Sequence, residues 1–177
     1  MVCRVAGVAK ASGASRVVVA ADHDDIASAV RSAGIECMLT RTDHATGTDR
    51  LAEAVVRLGA APTQIVVNLQ ADEPLMPAQA LAQAAIALHA QPLASVSTAV
   101  TPIDPVEVSN PNQVKAVCDQ HGMALYFSRS AIPFWRDPTP QGNAPEAILR
   151  HLGLYAYRAG PLVAFTGWGP CGMEAME

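Results

Sequence analysis

The stretch Ile65-Val66-Val67-Asn68-Leu69-Gln70-Ala71-Asp72-Glu73-Pro74 decides the fold class, because it joins a short apolar run to two adjacent carboxylates. The run at 65–69 is too short for a helix and does not alternate with polar residues, which is typical of a strand buried on both faces. In open α/β sheets, ligands bind outside the carboxyl ends of the strands. The stretch therefore predicts a buried strand that ends at a ligand site.

The sequence before and after this stretch alternates between short apolar runs and helical periodicity. Residues 17–21 and 37–39 are further short apolar runs that predict strands. Apolar residues at helical spacing predict one helix near the start, a second capped by Asp22, a third after Gly47 and a fourth from about Pro77. Strands and helices that alternate in this way predict a three-layer α/β/α, mostly parallel sheet with right-handed crossovers.

In the second half of the chain the pattern changes. Residues 113–117 and 123–127 flank the polar turn Asp119-Gln120-His121-Gly122 and predict a β-hairpin. A loop rich in proline and polar residues is expected over 133–145, followed by a strand over 152–157. The predicted fold class is therefore an α/β sheet with a mixed, hairpin-containing second half.

The composition of the chain excludes several functions. Its 177 residues, of which 50% are hydrophobic and 16% charged, are typical of one compact domain, so residues 1–177 are expected to form a single domain. The formal net charge of -4 offers no basic surface for nucleic acid, which favours a small nucleotide over a polymer. The cysteines have neither zinc nor redox spacing, and no apolar run is long enough to cross a membrane, so a cytoplasmic location is expected.

Asp72 is the first candidate for chemistry, because it comes just after the strand predicted at 65–69. A carboxylate in this position is able to hold Mg²⁺ beside a nucleotide, since Mg²⁺ takes one or two protein oxygens and leaves its other positions to water and phosphates. The alternative is that Asp72 and Glu73 only cap the turn that leads to Pro77. The dipeptide alone favours this second interpretation.

The loop Thr42-Asp43-His44-Ala45-Thr46-Gly47-Thr48-Asp49-Arg50 is the second candidate. Gly47 lets the backbone come close to a ligand, and the helix that follows, with Thr48 as its expected N-cap, offers N–H groups that suit a nucleotide. An ordinary capped helix behind a surface loop explains the same residues equally well. His44 is expected to be a solvated loop residue rather than a base.

A third set of candidates combines arginine, histidine and tyrosine. Its members are Arg129, Arg150, His151, Tyr155 and Tyr157. Arginine binds a sugar carboxylate through two parallel hydrogen bonds, while histidine and tyrosine bind sugar hydroxyls. Taken singly, each residue is more often structural, because a tyrosine in a strand usually packs and an isolated histidine is usually just hydrogen-bonded.

Several long segments of the chain together resemble one enzyme family. They are VVVAADHDDIASAV (17–30), TRTDHATGTDRLAEAV (40–55), VVNLQADEP (66–74), NPNQVKAV (110–117), ALYFSRSAIPF (124–134) and ILRHLGLYAYRAG (148–160). In this order they are similar to segments of the 3-deoxy-manno-octulosonate cytidylyltransferases, also called CMP-Kdo synthetases. The resemblance runs from Met1 to about Trp168.

The resemblance implies a fold, a reaction and an assembly. The implied fold is of the nucleotide-diphospho-sugar transferase type, and the implied assembly is a homodimer. The implied reaction transfers CMP from CTP to 3-deoxy-D-manno-octulosonate (Kdo), giving CMP-Kdo and pyrophosphate for lipopolysaccharide biosynthesis, with Mg²⁺ as the metal. The expected partners are these small substrates, and neither nucleic acid nor a membrane is expected.

The resemblance also implies roles for particular residues. Asp72 is the implied metal ligand and, together with Arg129, an implied catalytic residue. The implied contacts of the two substrates are Gln70, Arg129, His151 and Tyr155 for the acidic sugar, and Gly47 and Thr48 for the nucleotide.

Departures from the family pattern accompany the resemblance. The family opens with a strand and a basic loop of the pattern A-R-x-x-S-T-R-L-P-G-K-P around the CTP phosphates, and it closes with a Glu-Gln pair and an Asp that completes the metal site. Residues 1–177 lack both parts, and Ala71 stands where the family commonly has Gly. We therefore expect impaired turnover. Two alternatives stay open: an inactive fragment that acts as a binding or subunit-interaction module, and a cytidylyltransferase for another acidic sugar such as sialic acid, against which the segment RHLGLYAYR argues.

Overall fold

A computed structural model describes residues 1–134, 148–169 and 172 of the chain. The helices of this described part are α1 (Val2–Ala11), α2 (Asp24–Ser32), α3 (Gly47–Arg57), α4 (Ala78–Ala90) and α5 (Ala159–Thr166), with a short 3₁₀ helix at Pro105–Glu107. Its strands are β1 (Val18–Ala21), β2 (Glu36–Leu39), β3 (Ile65–Leu69), β4 (Val96–Pro102), β5 (Lys115–Cys118), β6 (Ala124–Ser128) and β7 (Leu149–Arg158). The loop expected over 133–145 lies almost entirely outside the described residues.

The chain divides into two compact units, a first unit of residues 1–97 and 154–169 and a second unit built around residues 98–153. The chain passes from one unit to the other within β4 and within β7. That residues 1–177 form a single domain stays a prediction. The described residues contain no helix that is both long and apolar enough to cross a bilayer.

In the first unit, β1 and β2 form a parallel pair, in which Val18 lies opposite Glu36 and Ala21 lies opposite Leu39. α2 connects the two strands and packs on both of them. Gly34 allows the sharp turn after α2, since its φ of +69° is in the left-handed region that favours glycine. This strand, helix and strand arrangement is the one that the alternating apolar runs predict, and the α/β class is confirmed.

β3 differs from its prediction in two respects. It pairs antiparallel with the end of β7, with Asn68 opposite Tyr155, because a short apolar run carries no information on the direction of its partner. Its residues are all partly exposed rather than fully buried. Within the described part of the chain, β7 is its paired strand, so β3 lies at the edge of that sheet. β3 therefore belongs not to the sheet of the parallel β1–β2 pair but to a second sheet, in which its pairing is antiparallel.

Two hydrophobic clusters hold the elements of the first unit together. One cluster joins α1 and α2 to the strands behind them, and its buried residues are Ala6, Val30 and Ile35. The other joins α3 to α5, and its buried residues are Ala52, Val55, Ala159 and Leu162. Val66 of β3 and Tyr157 of β7 pack against this second cluster. Burial of one side chain such as Leu162 of α5 contributes about 1.5–3 kcal/mol, which helps to hold α5 against α3.

In the second unit, β5 pairs antiparallel with β6 and with the beginning of β7. Lys115 lies opposite Ser128 on β6 and opposite Arg150 on β7. The turn between β5 and β6 is closed by the carboxylate of Asp119, which accepts two backbone N–H hydrogen bonds, and by Gly122 at a φ of +76°. The predicted hairpin is confirmed, and the strand predicted after the loop is observed as the longer β7.

Candidate active site

The N-terminus of α3 is fixed by a capping box. The Thr46 hydroxyl accepts a hydrogen bond from the backbone N–H of Asp49 at 3.2 Å, and the Asp49 carboxylate accepts one from the backbone N–H of Thr46 at 3.0 Å. The cap predicted at Thr48 is therefore wrong, because the helix already begins at Gly47. A Cβ built on Gly47 would meet no described atom within 4 Å, so the space beside the first helical turn is open to a ligand.

Arg50 joins the start of α3 to the carboxyl ends of β1 and β2. Its guanidinium donates to the carboxylate of Asp22, just after β1, at 2.8 Å and to the hydroxyl of Thr40, just after β2, at 2.7 Å. Asp22 is therefore not the cap of α2 that the sequence predicts. His23 takes that position, where its ring accepts a hydrogen bond from the N–H of Asp25. The start of α3 thus lies at the edge of the parallel pair where ligands bind in such sheets.

Glu53 anchors the loop that precedes α3. Its carboxylate accepts hydrogen bonds from the ring of His44 at 2.5 Å, from the backbone N–H of Arg41 at 3.0 Å and from the guanidinium of Arg57 at 2.8 Å. The hydrogen bond from His44 has the largest effect, and together these hydrogen bonds lower the pKa of Glu53 to about 2. The prediction of a solvated His44 is wrong, because Glu53 draws its side chain in until only 11% of it is exposed.

Tyr157 connects two residues that the resemblance assigns to different substrates. The side chain of Thr48, an implied nucleotide contact, lies close enough to its phenol to lower the pKa of Tyr157 against the raising effect of burial. Its ring stacks on that of Tyr155, an implied sugar contact, with the ring centroids 5.8 Å apart. Burial raises the pKa of both tyrosines, so both phenols stay neutral hydrogen-bonding groups. The first unit therefore brings Thr48 and Tyr155 together, although they lie far apart in the sequence.

The turn after β3 presents Gln70 and Asp72 to solvent. A hydrogen bond of 3.1 Å from the backbone N–H of Glu73 to the carbonyl of Gln70 closes the turn. In the part of the chain that the structure describes, neither Asp72 nor Glu73 makes a side-chain hydrogen bond, and α4 begins without a side-chain cap. The interpretation of the two carboxylates as caps is therefore not supported, and the oxygens of Asp72 are available to a ligand.

In the second unit, Arg129 follows β6 and is held at two points. Its guanidinium donates to the carbonyl of Pro111 at 2.9 Å, and its own carbonyl accepts a hydrogen bond from the ammonium group of Lys115 at 2.5 Å. Arg129 is exposed, whereas Lys115 is buried. A buried lysine thus binds the backbone of an exposed arginine.

His151 is held by its backbone and by its ring. Its backbone N–H donates to the carbonyl of Val114 at 2.8 Å. Its Nε2 lies 2.7 Å from the hydroxyl of Thr98, and its ring meets that of Phe127 edge-on, with the centroids 5.1 Å apart. Burial lowers the pKa of His151, which favours a neutral imidazole near pH 7.

Arg129 and His151 lie beside the same end of β5, because each directly follows a residue that is opposite Lys115. Arg150, which precedes His151, donates from its guanidinium to the side chain of Gln113 at 3.2 Å. The second unit therefore gathers Arg129 and His151, two implied sugar contacts, around the turn that leads into β5.

The whole chain matches one known family and is similar to two enzymes of known name. A family model described as Cytidylyltransferase matches residues 1–177. The 3-deoxy-manno-octulosonate cytidylyltransferase of Yersinia enterocolitica is 47% identical, over 100% of this chain and 72% of its own length. That of Pseudomonas fluorescens is 48% identical, over 96% of this chain and 68% of its own length. The chain belongs to the 3-deoxy-manno-octulosonate cytidylyltransferase family.

Two solved structures have folds similar to that of this cytidylyltransferase. A structure of CMP:2-keto-3-deoxy-manno-octonic acid synthetase complexed with CTP has a TM-score of 0.89 and 32% identity, over 99% of this chain and 70% of that chain. A 4-diphosphocytidyl-2C-methyl-D-erythritol synthase has a TM-score of 0.54 and 16% identity, over 96% of this chain and 76% of that chain, and shows the fold alone. The nucleotide-diphospho-sugar transferase type of α/β fold is confirmed.

Asp72 offers this cytidylyltransferase an exposed carboxylate of the kind that fits a magnesium ion. Among the described residues, no group of three or more histidine, cysteine, aspartate or glutamate side chains could hold a metal by itself. Mg²⁺ does not require such a group, because one or two carboxylates suffice when substrate phosphates and water supply the other oxygens. The exposed carboxylate of Asp72, in the turn after β3, fits the role of one such oxygen ligand.

Glu53 and Tyr157 in the first unit and Lys115 in the second each contact candidate site residues of their own unit, yet none is among the residues to which the resemblance gives a role. Glu53 offers no local signal, because a glutamate on an amphipathic helix is usually solvated. Lys115 does offer one, since a lysine at the start of an apolar strand needs partners if it is buried. Tyr157 lies two residues from Tyr155, and this spacing on a strand puts both on one face.

Proposed function

We propose that this chain transfers CMP from CTP to Kdo, giving CMP-Kdo and pyrophosphate. The observation that carries the proposal is the place of Tyr157, whose ring stacks on that of Tyr155, an implied sugar contact, and whose phenol lies near Thr48, an implied nucleotide contact. The Yersinia and Pseudomonas relatives carry the name of this activity. The solved structure that is 32% identical contains CTP. These similarities favour an enzyme over an inactive binding module, and Kdo over another acidic sugar.

The nucleotide binds at the start of α3 in this proposal. The first N–H groups of a helix have no partner within the helix and lie at the positive end of its dipole, so Gly47 and Thr48 suit an electron-rich ligand. The capping box of Thr46 and Asp49 keeps the first turn in place. Arg50 keeps that turn at the carboxyl ends of β1 and β2. The ligand therefore meets donors that are already positioned.

The sugar is bound by Gln70, Arg129, His151 and Tyr155 in this proposal. Arg129 binds the sugar carboxylate, because a guanidinium matches a carboxylate with two parallel hydrogen bonds. The neutral imidazole of His151 and the phenol of Tyr155 bind hydroxyl groups, and the amide of Gln70 both donates and accepts. That all four residues line one pocket with Asp72 stays a prediction.

The proposed chemistry needs alignment and charge compensation more than a reactive side chain. The anomeric hydroxyl of the sugar attacks the α-phosphorus of CTP and expels pyrophosphate, so no covalent enzyme intermediate is required. Arg129 offsets negative charge at the sugar carboxylate. Asp72 would hold Mg²⁺, and that ion, when bound, supplies positive charge against the triphosphate.

The proposal also includes a homodimer in the cytoplasm. The homodimer is supported by the family resemblance, and the cytoplasmic location by a sequence without a long apolar run. Light scattering on the purified chain measures the assembly, and a mass of one chain at micromolar concentration would contradict the homodimer.

Pyrophosphate release from CTP and Kdo tests the proposed reaction. Release is expected from the unaltered chain and is expected to be abolished by Asp72→Ala at saturating Mg²⁺. Glu73→Ala is the matched control, because it removes a carboxylate from the same turn, and its release should stay near that of the unaltered chain. Near-normal release by Asp72→Ala would refute the metal role. Release with sialic acid but not with Kdo would favour the other sugar, and CTP binding without release would favour the binding module.

A further inference from the structure

Lys115 carries a positive charge in the interior of the second unit. The residue has 0% of its surface exposed, and an ammonium group is costly to bury unless its donors are satisfied. The Nζ of Lys115 donates to the carbonyls of Arg129 at 2.5 Å, of Gln113 at 2.6 Å and of Asn110 at 3.1 Å. Each of these contacts pairs an N–H of the ammonium group with a backbone carbonyl, and these carbonyls are among the partners of Lys115.

The carbonyls that bind Lys115 belong to two separate segments. Two of them lie in the turn at 110–113, before β5, and the third belongs to Arg129, just after β6. Lys115 therefore ties this turn to the residue that follows β6. Arg129 adds a second link, since its guanidinium donates to the carbonyl of Pro111 in the same turn. The backbone and the side chain of Arg129 are thus both fixed against one turn.

We propose that Lys115 is a positioning residue that sets the orientation of the Arg129 guanidinium for the carboxylate of an acidic sugar. This inference rests on the proposed function, in which Arg129 binds that carboxylate. A bidentate contact requires the guanidinium and the carboxylate to share a plane. Lys115 acts through the backbone of Arg129 and through the 110–113 turn, without touching the sugar.

A double-mutant cycle tests this role. Calorimetry measures the binding of Kdo and of CTP to the unaltered chain, to Lys115→Met, to Arg129→Ala and to the chain with both changes. Methionine has a similar length but donates no hydrogen bond. We expect Lys115→Met to weaken Kdo binding by about tenfold or more and to leave CTP binding within about twofold. In the Arg129→Ala chain the same change should cost less than about twofold, because its effect passes through Arg129.

Lys10→Met is the matched control for this cycle. Lys10 and Lys115 are the only lysines in the sequence, and Lys10 is exposed at the end of α1. The control should bind both ligands as the unaltered chain does. Equal losses of Kdo and CTP binding in Lys115→Met would overturn the proposal, because a general folding defect has that pattern. Additive losses in the cycle would overturn it as well, since Lys115 would then act independently of Arg129.

Amide hydrogen exchange gives a second test that does not depend on catalysis. We expect slow exchange at residues 110–113 and 129–131 in the unaltered chain before sugar is added, and little change when Kdo binds. Fast exchange that slows only when Kdo binds would overturn the proposal, even if Lys115→Met does not fold. If the unaltered chain binds CTP but not Kdo, the proposed sugar is wrong. Amide exchange at residues 129–131 then still tests the role of Lys115. Faster exchange in Lys115→Met than in Lys10→Met supports the role, and equal exchange overturns it.

Discussion

The start of α3 and the turn at 110–113 are both held in place, but by different kinds of contact. At α3, several partly exposed side chains each make a contact of their own, as Thr46 does with Asp49 and Arg50 with Asp22. At the turn, one buried ammonium group on Lys115 binds three backbone carbonyls. The first arrangement distributes the restraint over many side chains, and the second concentrates it in one.

This difference has an energetic consequence. A hydrogen bond at the surface is replaced by water when it is broken, so its loss costs little. Removal of the buried ammonium group takes a charged donor from three partly buried carbonyls, and a hydrogen bond to a charged group is worth about 1.5–3 kcal/mol. We therefore expect single changes at α3 to have modest effects and the change at Lys115 to have a large one.

The largest loss of stability is expected for Lys115→Met. The free energy of unfolding should fall by more than about 3 kcal/mol, because three hydrogen bonds from a buried ammonium group are lost, each worth about 1.5–3 kcal/mol. Urea denaturation followed by circular dichroism measures this quantity. Lys10→Met, at the exposed lysine, should stay within about 0.5 kcal/mol of the unaltered chain. A loss below about 1 kcal/mol at Lys115 would mean that water replaces the ammonium group, and the contrast with α3 would disappear.

A smaller, pH-dependent effect is expected for Glu53→Gln. The pKa of Glu53 in the folded chain is about 2, below the ordinary value of 4.5. The stabilisation by its carboxylate is therefore fully present above pH 4.5 and is lost as the pH falls towards 2. The Tm of the variant should lie below that of the unaltered chain at pH 7, and the two should converge on acidification. Glu73→Gln is the control, and a Tm difference that does not vary with pH would contradict the assignment.

A loss of stability of the size typical for an N-cap is expected for Thr46→Ala. Loss of an N-cap hydroxyl costs about 0.5–2 kcal/mol, so the free energy of unfolding should fall by about 1 kcal/mol. Thr46→Ser keeps the hydroxyl and should restore most of the loss, while Thr42→Ala removes a threonine of the same loop without removing the cap. An equal loss from Thr42→Ala would show that the capping box is not the cause.

The smallest effect on stability is expected when an ion pair between two exposed side chains is broken. Arg16 and Glu36 form a 2.6 Å ion pair with side chains that are 55% and 46% exposed. Water and salt screen such a pair, so Arg16→Gln should leave the Tm unchanged within error at physiological ionic strength. A clear drop in Tm would contradict this prediction, because it would show that an exposed ion pair of the first unit contributes measurably to stability.

Local patterns predicted most elements of the fold, and they were least accurate at the helix ends. The hairpin around Asp119 and the strands at β1 and β2 follow from residues that are neighbours in the sequence. The caps of α2 and α3 were misplaced, because adjacent residues compete for the same role. Asp22 is able to cap α2, but its carboxylate binds Arg50 instead, and only the folded chain brings these two residues together.

The organisation of the site depends on contacts that no local pattern contains. The direction of β3 is set by its pairing with β7, and the place of Arg129 is set by a lysine on another strand. The resemblance implied Thr48 and Tyr155 as ligand contacts, and in the structure Tyr157 stacks on Tyr155 and lies near Thr48. The individual roles implied for the site residues stay predictions, because a role belongs to a complex with substrate.

The burial of Lys115 makes a proteolytic cut a direct measure of local opening. A lysine-specific endoprotease recognises two positions in this sequence, Lys10 and Lys115. Lys10 is exposed, whereas Lys115 is enclosed within the second unit. Fragments that end at Lys115 should therefore appear only when the chain around β5 opens, and their rate of appearance reports how often that happens.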